Sequence, residues 1–73
     1  MATRSELDEI DMAILRAMKA IGKPTRPKEI AAQAGLDARR VAAKMRKLVR
    51  LGLVERVEEG VYKLTEEGEK IAG

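Results

Sequence analysis

The stretch 37–51, DARRVAAKMRKLVRL, constrains the fold of this chain more than any other part of the sequence. Its apolar residues recur at the i, i+4, i+7 spacing that stacks side chains on one face of a helix. That face is formed by Val41, Met45 and Leu48. Asp37 is suited to cap the first turn, and Gly52 is suited to end the helix. The pattern therefore predicts one amphipathic helix with specified ends, whose apolar stripe has to be buried against other elements.

The opposite face of this predicted helix is basic. The helix contains six of the chain's fifteen basic residues, namely Arg39, Arg40, Lys44, Arg46, Lys47 and Arg50. The small Ala43 lies among them, so the backbone can approach a surface while the cations reach past it. The major groove of duplex DNA admits a helix and is bordered by phosphates, so this face is a candidate DNA-binding surface. A solvated basic face is the alternative interpretation.

The composition argues against several classes of function. With 73 residues the chain predicts a single domain, 1–73, and the absence of Cys and His removes disulfides, thiolate metal sites and the commonest general base. We find no pattern of catalytic residues, so we expect no enzyme, no metal and no cofactor. No apolar run approaches the ~20 residues of a membrane span, and no signal peptide is evident, so we expect a cytoplasmic protein without a membrane partner.

Charge is divided unevenly along the chain. Residues 1–22 carry three basic and four acidic side chains, a net −1, whereas residues 23–51 carry nine and two, a net +7. Residues 53–73 carry three and six, a net −3. A domain polarised in this way presents a cationic face to a polyanion. Charged residues make up 37% of the chain and Asn is absent, which favours a protein adapted to high temperature.

Two further helices are predicted before the basic one. Apolar residues at steps of three and four predict helix 1 over about 5–21, capped by Ser5. Two prolines then impose an extended link, and Pro27 is well placed to begin a short helix 2 over about 27–34. Arg26 stands where Ser or Thr would normally cap that helix.

After Gly52 the apolar period changes from 3.6 to 2. This change predicts a two-stranded hairpin over about 53–64, with Gly60 providing the positive φ of a tight turn. Thr65 is a candidate cap for a last helix over about 65–72, which we expect Gly68 to interrupt. The predicted fold is therefore mainly α with a small β-hairpin.

This order of elements is that of the winged helix-turn-helix, with a three-helix core, a two-stranded wing and a short C-terminal helix. Residues 26–56, RPKEIAAQAGLDARRVAAKMRKLVRLGLVER, resemble the helix-turn-helix and first wing strand of small prokaryotic transcription regulators. LTEEG, residues 64–68, is similar to the segment after the wing in archaeal and bacterial regulators, including the multiple-antibiotic-resistance type. LDEIDMAIL, residues 7–15, resembles the first helix of the leucine-responsive regulators. The resemblance implies an archaeal DNA-binding transcription regulator.

The resemblance also implies roles for particular residues. In this fold the N-terminal part of the recognition helix meets base edges, which implies base contacts by Arg39, Arg40 and Ala43. The expected phosphate contacts lie along the same helix and at the start of helix 2: Lys28, Lys44, Arg46, Lys47 and Arg50. Lys44 occupies a position where such helices commonly place an apolar residue. Its aliphatic stem is expected to follow the core edge with the ammonium outside.

Other partners are left open by the sequence. Glu58 and Glu59 make the wing tip acidic, which favours a second hypothesis, a protein–protein docking module whose wing meets a basic partner. A domain of this size covers one half-site of DNA, so a homodimer built from helix 1 and the C-terminal helix is a further hypothesis. RNA binding is poorly supported, since Tyr62 is the only aromatic residue available for stacking.

Overall fold

Four helices and a two-stranded antiparallel sheet make up residues 6–73, the part of the chain that the computed structural model describes. The elements are α1 (Glu9–Ile21), α2 (Pro27–Ala34), α3 (Ala38–Arg50), β1 (Val54–Glu58), β2 (Val61–Leu64) and α4 (Glu66–Ala72). This order confirms the predicted mainly α fold with one hairpin. None of the helices in residues 6–73 has the length and apolar character needed to cross a membrane.

Helix α1 begins later than the predicted residue 5. Its N-cap is Asp8, whose carboxylate accepts a hydrogen bond of 2.8 Å from the Asp11 amide. In return the Asp11 carboxylate accepts one of 3.0 Å from the Asp8 amide. This reciprocal capping box satisfies two N–H groups that a helix start otherwise leaves unpaired. The helix therefore starts at Glu9, and the predicted cap at Ser5 lies outside the described residues.

The core is formed by the faces that the apolar periods indicate. Val41, Met45 and Leu48 of α3 are all fully buried, as predicted. They pack with apolar residues from the other elements: Ile14, Leu15, Ala17, Met18, Ile30, Ala31, Leu53 and Val54. Helix α3 therefore turns its apolar stripe inward and leaves its opposite face exposed.

The link between α1 and α2 pairs with β2 through an isolated antiparallel bridge. The Thr25 amide donates to the Tyr62 carbonyl and the Tyr62 amide to the Thr25 carbonyl, both at 2.8 Å. The Arg26 side chain does not cap α2. Instead the Glu29 carboxylate accepts hydrogen bonds from the Thr25 hydroxyl and the Arg26 amide at the start of this helix. These two hydrogen bonds, the hydroxyl first, lower the pKa of Glu29. The link thus ties β2 to the start of α2.

The hairpin contains a bulge that sequence periodicity does not indicate. Arg56 pairs with Tyr62, but the register then shifts so that Glu58 pairs with Val61 and Val57 is the extra residue. A bulge of this kind increases the local twist of the strand and leaves the extra residue without a partner. Val57 is accordingly 40% exposed.

Gly68 does not interrupt α4, contrary to the sequence prediction. Helix α4 runs through it, and its α-carbon faces the start of the hairpin. A Cβ at this position would lie 2.0 Å from the Leu53 carbonyl oxygen. Thr65 fixes the approach, because its hydroxyl donates to the Gly52 carbonyl at 2.6 Å and its amide to Leu53 at 3.0 Å. Glycine is therefore required here for close packing.

We predict that Gly68→Ala destabilises the domain. Helix propensity alone would give alanine an advantage of ~1 kcal/mol, but the clash involves backbone atoms of Leu53 that cannot easily move. The expected net cost is about 1–3 kcal/mol, which lowers the melting temperature by roughly 4–8 °C per kcal/mol in a domain of this size. Glu67→Ala, at the exposed neighbouring position, is the control and should melt close to wild type. A Gly68→Ala melting temperature at or above that of the wild type would contradict the packing described.

Candidate nucleic-acid interface

The outer face of α3 is a row of arginines around a small residue. Arg39, Ala43, Arg46 and Arg50 are all exposed, on the side of the helix opposite the buried stripe. The Asp37 carboxylate caps the helix by accepting a hydrogen bond of 2.7 Å from the Arg39 amide, which fixes the start of the row. The arrangement is suited to lie along an anionic surface.

The three predicted base-contact residues line one shallow depression. It lies between the turn that follows α2 and the first half of α3. Its lining residues are Gly35, Leu36, Asp37, Arg39, Arg40 and Ala43. Arg39, Arg40 and Ala43 are therefore brought to a common concave surface, and their role as base contacts stays a prediction.

Two cations extend this basic region onto neighbouring elements. Lys28 is exposed in the first turn of α2, on an element next to α3. Arg26, which the sequence did not indicate as a binding residue, precedes α2 and places its guanidinium near the turn of the hairpin. Its Nη1 atom lies 3.2 Å from the position that a Cβ of Gly60 would occupy. The pairing of Thr25 with Tyr62 brings the neighbouring Arg26 to the wing.

Lys44 and Lys47 differ from the arginines because α1 binds both of them. The Lys44 ammonium lies 2.5 Å from Oδ2 of Asp8, and the Lys47 ammonium lies 2.6 Å from Oδ2 of Asp11. The sequence predicted that the Lys44 ammonium would lie outside the core edge. In the structure it instead forms an ion pair with Asp8, the N-cap of α1. Two of the three lysines predicted to bind phosphate, Lys44 and Lys47, thus already have carboxylate partners in residues 6–73.

Asp11 is the most unusual residue of this cluster, because its side chain is fully buried. Its Oδ2 accepts hydrogen bonds from Lys47 and from the Asp8 amide. Its Oδ1 has no hydrogen-bond partner among the described residues, and the nearest cation is the Lys44 ammonium at 3.7 Å. A buried carboxylate needs such cations, since an unpaired charge in a protein interior is very costly.

The pKa values of Asp8 and Lys44 reflect the attraction between these two side chains. The hydrogen bond from Lys44 and the amide of Asp11 lower the pKa of Asp8 from its usual 3.8 to about 2. The pKa of Lys44 is raised, chiefly by its hydrogen bond to Asp8 and against the opposing effect of partial burial. Both groups are thus held in their charged forms over the ordinary pH range.

The acidic residues of the wing tip, Glu58 and Glu59, are exposed and form no ion pair with any described residue. They do not combine with other side chains into a metal site: in residues 6–73 we find no group of three or more acidic, His or Cys side chains arranged to hold a metal ion. The wing therefore contributes negative charge beside the turn that Arg26 approaches.

The geometry and the sequence together define the class of this protein. The chain belongs to the winged helix-turn-helix family, whose sequence profile matches residues 3–73. The match confirms the predicted family at that level, whereas the narrower resemblance to the multiple-antibiotic-resistance and leucine-responsive types, and an archaeal source, stay predictions.

One solved structure shows the same fold within a larger enzyme. The chain is similar to the crystal structure of an O-methyltransferase (NcsB1) from neocarzinostatin biosynthesis in complex with S-adenosyl-L-homocysteine, with 36% identity and a TM-score of 0.67. The match covers 93% of this chain and 25% of that chain, so this chain spans about a quarter of the enzyme's length. No curated protein sequence matches the chain.

We predict that acid weakens the fold partly through Asp8. A carboxyl group whose pKa is lower in the folded than in the unfolded chain contributes stability that is fully present above its unfolded value. That contribution is lost as the pH falls from about 4 to about 2, the interval between the two pKa values. Urea unfolding of the wild type and of Asp8→Asn across this interval measures the effect. The stability difference between them should shrink as the pH falls, and a difference that stays constant from about pH 5 to pH 2 would contradict the ion pair.

Proposed function

We propose that this domain binds duplex DNA through the outer face of α3 and serves in transcription regulation. The observation that carries the proposal is the exposed arginine row around Ala43, opposite the buried stripe of α3 in a winged helix-turn-helix fold. The major groove admits a helix, and arginine forms bidentate hydrogen bonds with guanine and strong contacts with phosphate.

Different parts of the surface have different roles in this proposal. Arg39, Arg40 and Ala43, at the concave N-terminal half of α3, contact base edges. Phosphates are bound by the cations farther along α3 and on α2: Lys28, Arg46 and Arg50. Arg26 adds a cation next to the wing turn, where β1 ends in Glu58 and the turn itself contains Glu59.

A protein–protein docking module is the second candidate function. The 36% identical solved structure is that of an enzyme bound to S-adenosyl-L-homocysteine, in which this fold is one part of a longer chain. The exposed acids Glu58 and Glu59 also favour a basic protein partner, because they would repel phosphates.

Under the DNA-binding proposal, two copies of the domain pair to read two half-sites, with a homodimer built from α1 and α4.

We predict salt-dependent binding to random-sequence duplex DNA. The log–log slope of affinity against salt should correspond to a few phosphates, at about 0.9 per contact. Arg46→Ala and Arg50→Ala should each remove one phosphate contact, which flattens the slope by about 0.9. Each should also weaken binding to all sequences alike. Fluorescence anisotropy with a labelled duplex over a range of salt concentrations measures this.

Arg16→Ala is the matched control for these variants. Arg16 is an exposed arginine on α1, so the substitution removes the same charge away from the proposed interface. Its slope should stay close to that of the wild type. If the wild type fails to bind duplex even at low salt, the DNA-binding proposal is wrong and the docking module becomes the better account.

We further predict that Arg39 and Arg40 select bases. Arg39→Ala or Arg40→Ala should cost about 1–3 kcal/mol on the preferred site and relax the preference at one base position. Selection from a random duplex library, carried out with the wild type and each variant, provides the test. Uniform loss of affinity with an unchanged motif in both variants would assign these arginines to phosphates instead.

A further inference from the structure

We propose that Asp8, the N-cap of α1, holds Lys44 away from the DNA, so that α3 binds phosphates through its arginines and non-specific affinity is limited. This inference rests on the proposed DNA-binding function and names the residue that determines which cations of α3 take part. Asp8 is a positioning residue here: it acts on the interface through Lys44 and does not itself contact DNA.

The first support is the direction in which Lys44 projects. Residues of an α-helix are separated by about 100° around the axis, so Lys44 lies about 120° from the direction of Arg50. Its side chain turns toward α1, where the ammonium lies 2.5 Å from Asp8 and 3.7 Å from Asp11. The side chain is only 24% exposed. The ammonium is thus held between two carboxylates on the flank of α3, and a phosphate has to compete with both.

The two lysine pairs differ in how readily each can be opened. Removing Lys47 from Asp11 would leave a fully buried carboxylate without its closest cation, which is strongly unfavourable. Removing Lys44 from Asp8 is less costly, since the Asp8 side chain is 53% exposed and water can solvate it. Lys47 is therefore fixed by the fold, whereas the close partner of Lys44 is the exposed Asp8, and Asp11 is its more distant partner at 3.7 Å.

The consequence for recognition is electrostatic. Phosphate contacts favour every DNA sequence equally, whereas base contacts distinguish between sequences. A lysine neutralised by Asp8 adds nothing to the phosphate contacts and leaves the arginines at the start of α3 unaffected. Asp8 therefore lowers affinity for random sequence more than it changes discrimination between bases.

Asp8→Asn is the variant that tests the proposal. Asparagine keeps the side-chain oxygen that caps α1 but removes the charge that holds Lys44. The variant should bind random duplex several-fold more tightly at low salt, with a log–log salt slope steeper by about 0.9. Glu9→Gln is the matched control, because Glu9 is the adjacent exposed acid and forms no ion pair with any described residue. It should change affinity only through net charge, with a smaller change of slope.

Lys44→Met completes the experiment. In the wild-type background this substitution should leave the salt slope nearly unchanged. In the Asp8→Asn background it should remove both the added affinity and the added steepness of the slope. Thermal melts of all the variants establish that each is folded when DNA is added.

Each outcome supports or overturns a defined statement. Equal slopes for Asp8→Asn and Glu9→Gln, or a slope flattened by about 0.9 in Lys44→Met alone, would overturn this inference while DNA binding stands. Failure of every folded variant to bind duplex would instead overturn the proposed function, and this inference with it.

Discussion

The buried carboxylate of Asp11 is the interaction on which the arrangement of this domain depends. It belongs to the capping box that starts α1, and it also accepts a hydrogen bond from Lys47 of α3. A charged group that is fully excluded from water is tolerated only with a close cation and further hydrogen bonds. Asp11 therefore fixes where α1 begins and how α3 lies against it. Substitution of Lys47 would leave a fully buried carboxylate without its closest cation.

This link also decides the electrostatics of the exposed surface. A helix with six cations repels itself, and α1 relieves part of that repulsion by pairing Lys44 and Lys47 with carboxylates. The arginines have no such partner among the described residues and form the outer face. The acidic wing tip is attached separately, through the pairing of β2 with Thr25 and the contact of α4 with Leu53. The fold thus separates a basic helix from an acidic hairpin within one small domain.

Local sequence patterns predicted the start of a helix well where that start depends only on residues within one turn of it. Helix α2 begins at Pro27 and α3 follows Asp37 as predicted, because proline at the first turn and an aspartate cap act within a few residues. The start of α1 was less well predicted, since Ser5 and Asp8 both suit a cap and only the capping box with Asp11 distinguishes Asp8. Gly68 was misinterpreted as a helix breaker because glycine in a helix indicates flexibility unless its tertiary neighbour, here Leu53, is known.

The sequence by itself determined the order of helices and strands, the buried stripe of α3 and the presence of an exposed arginine row on its other side. These follow from side-chain periodicity and from caps that operate within one turn. The tertiary structure decided which cations remain exposed. Lys44 and Lys47 lie on the shoulder of α3 next to its arginines, yet their ammonium groups are bound by carboxylates far away in the sequence. Periodicity specifies the direction of a side chain around its own helix, whereas its partner depends on how two helices pack together.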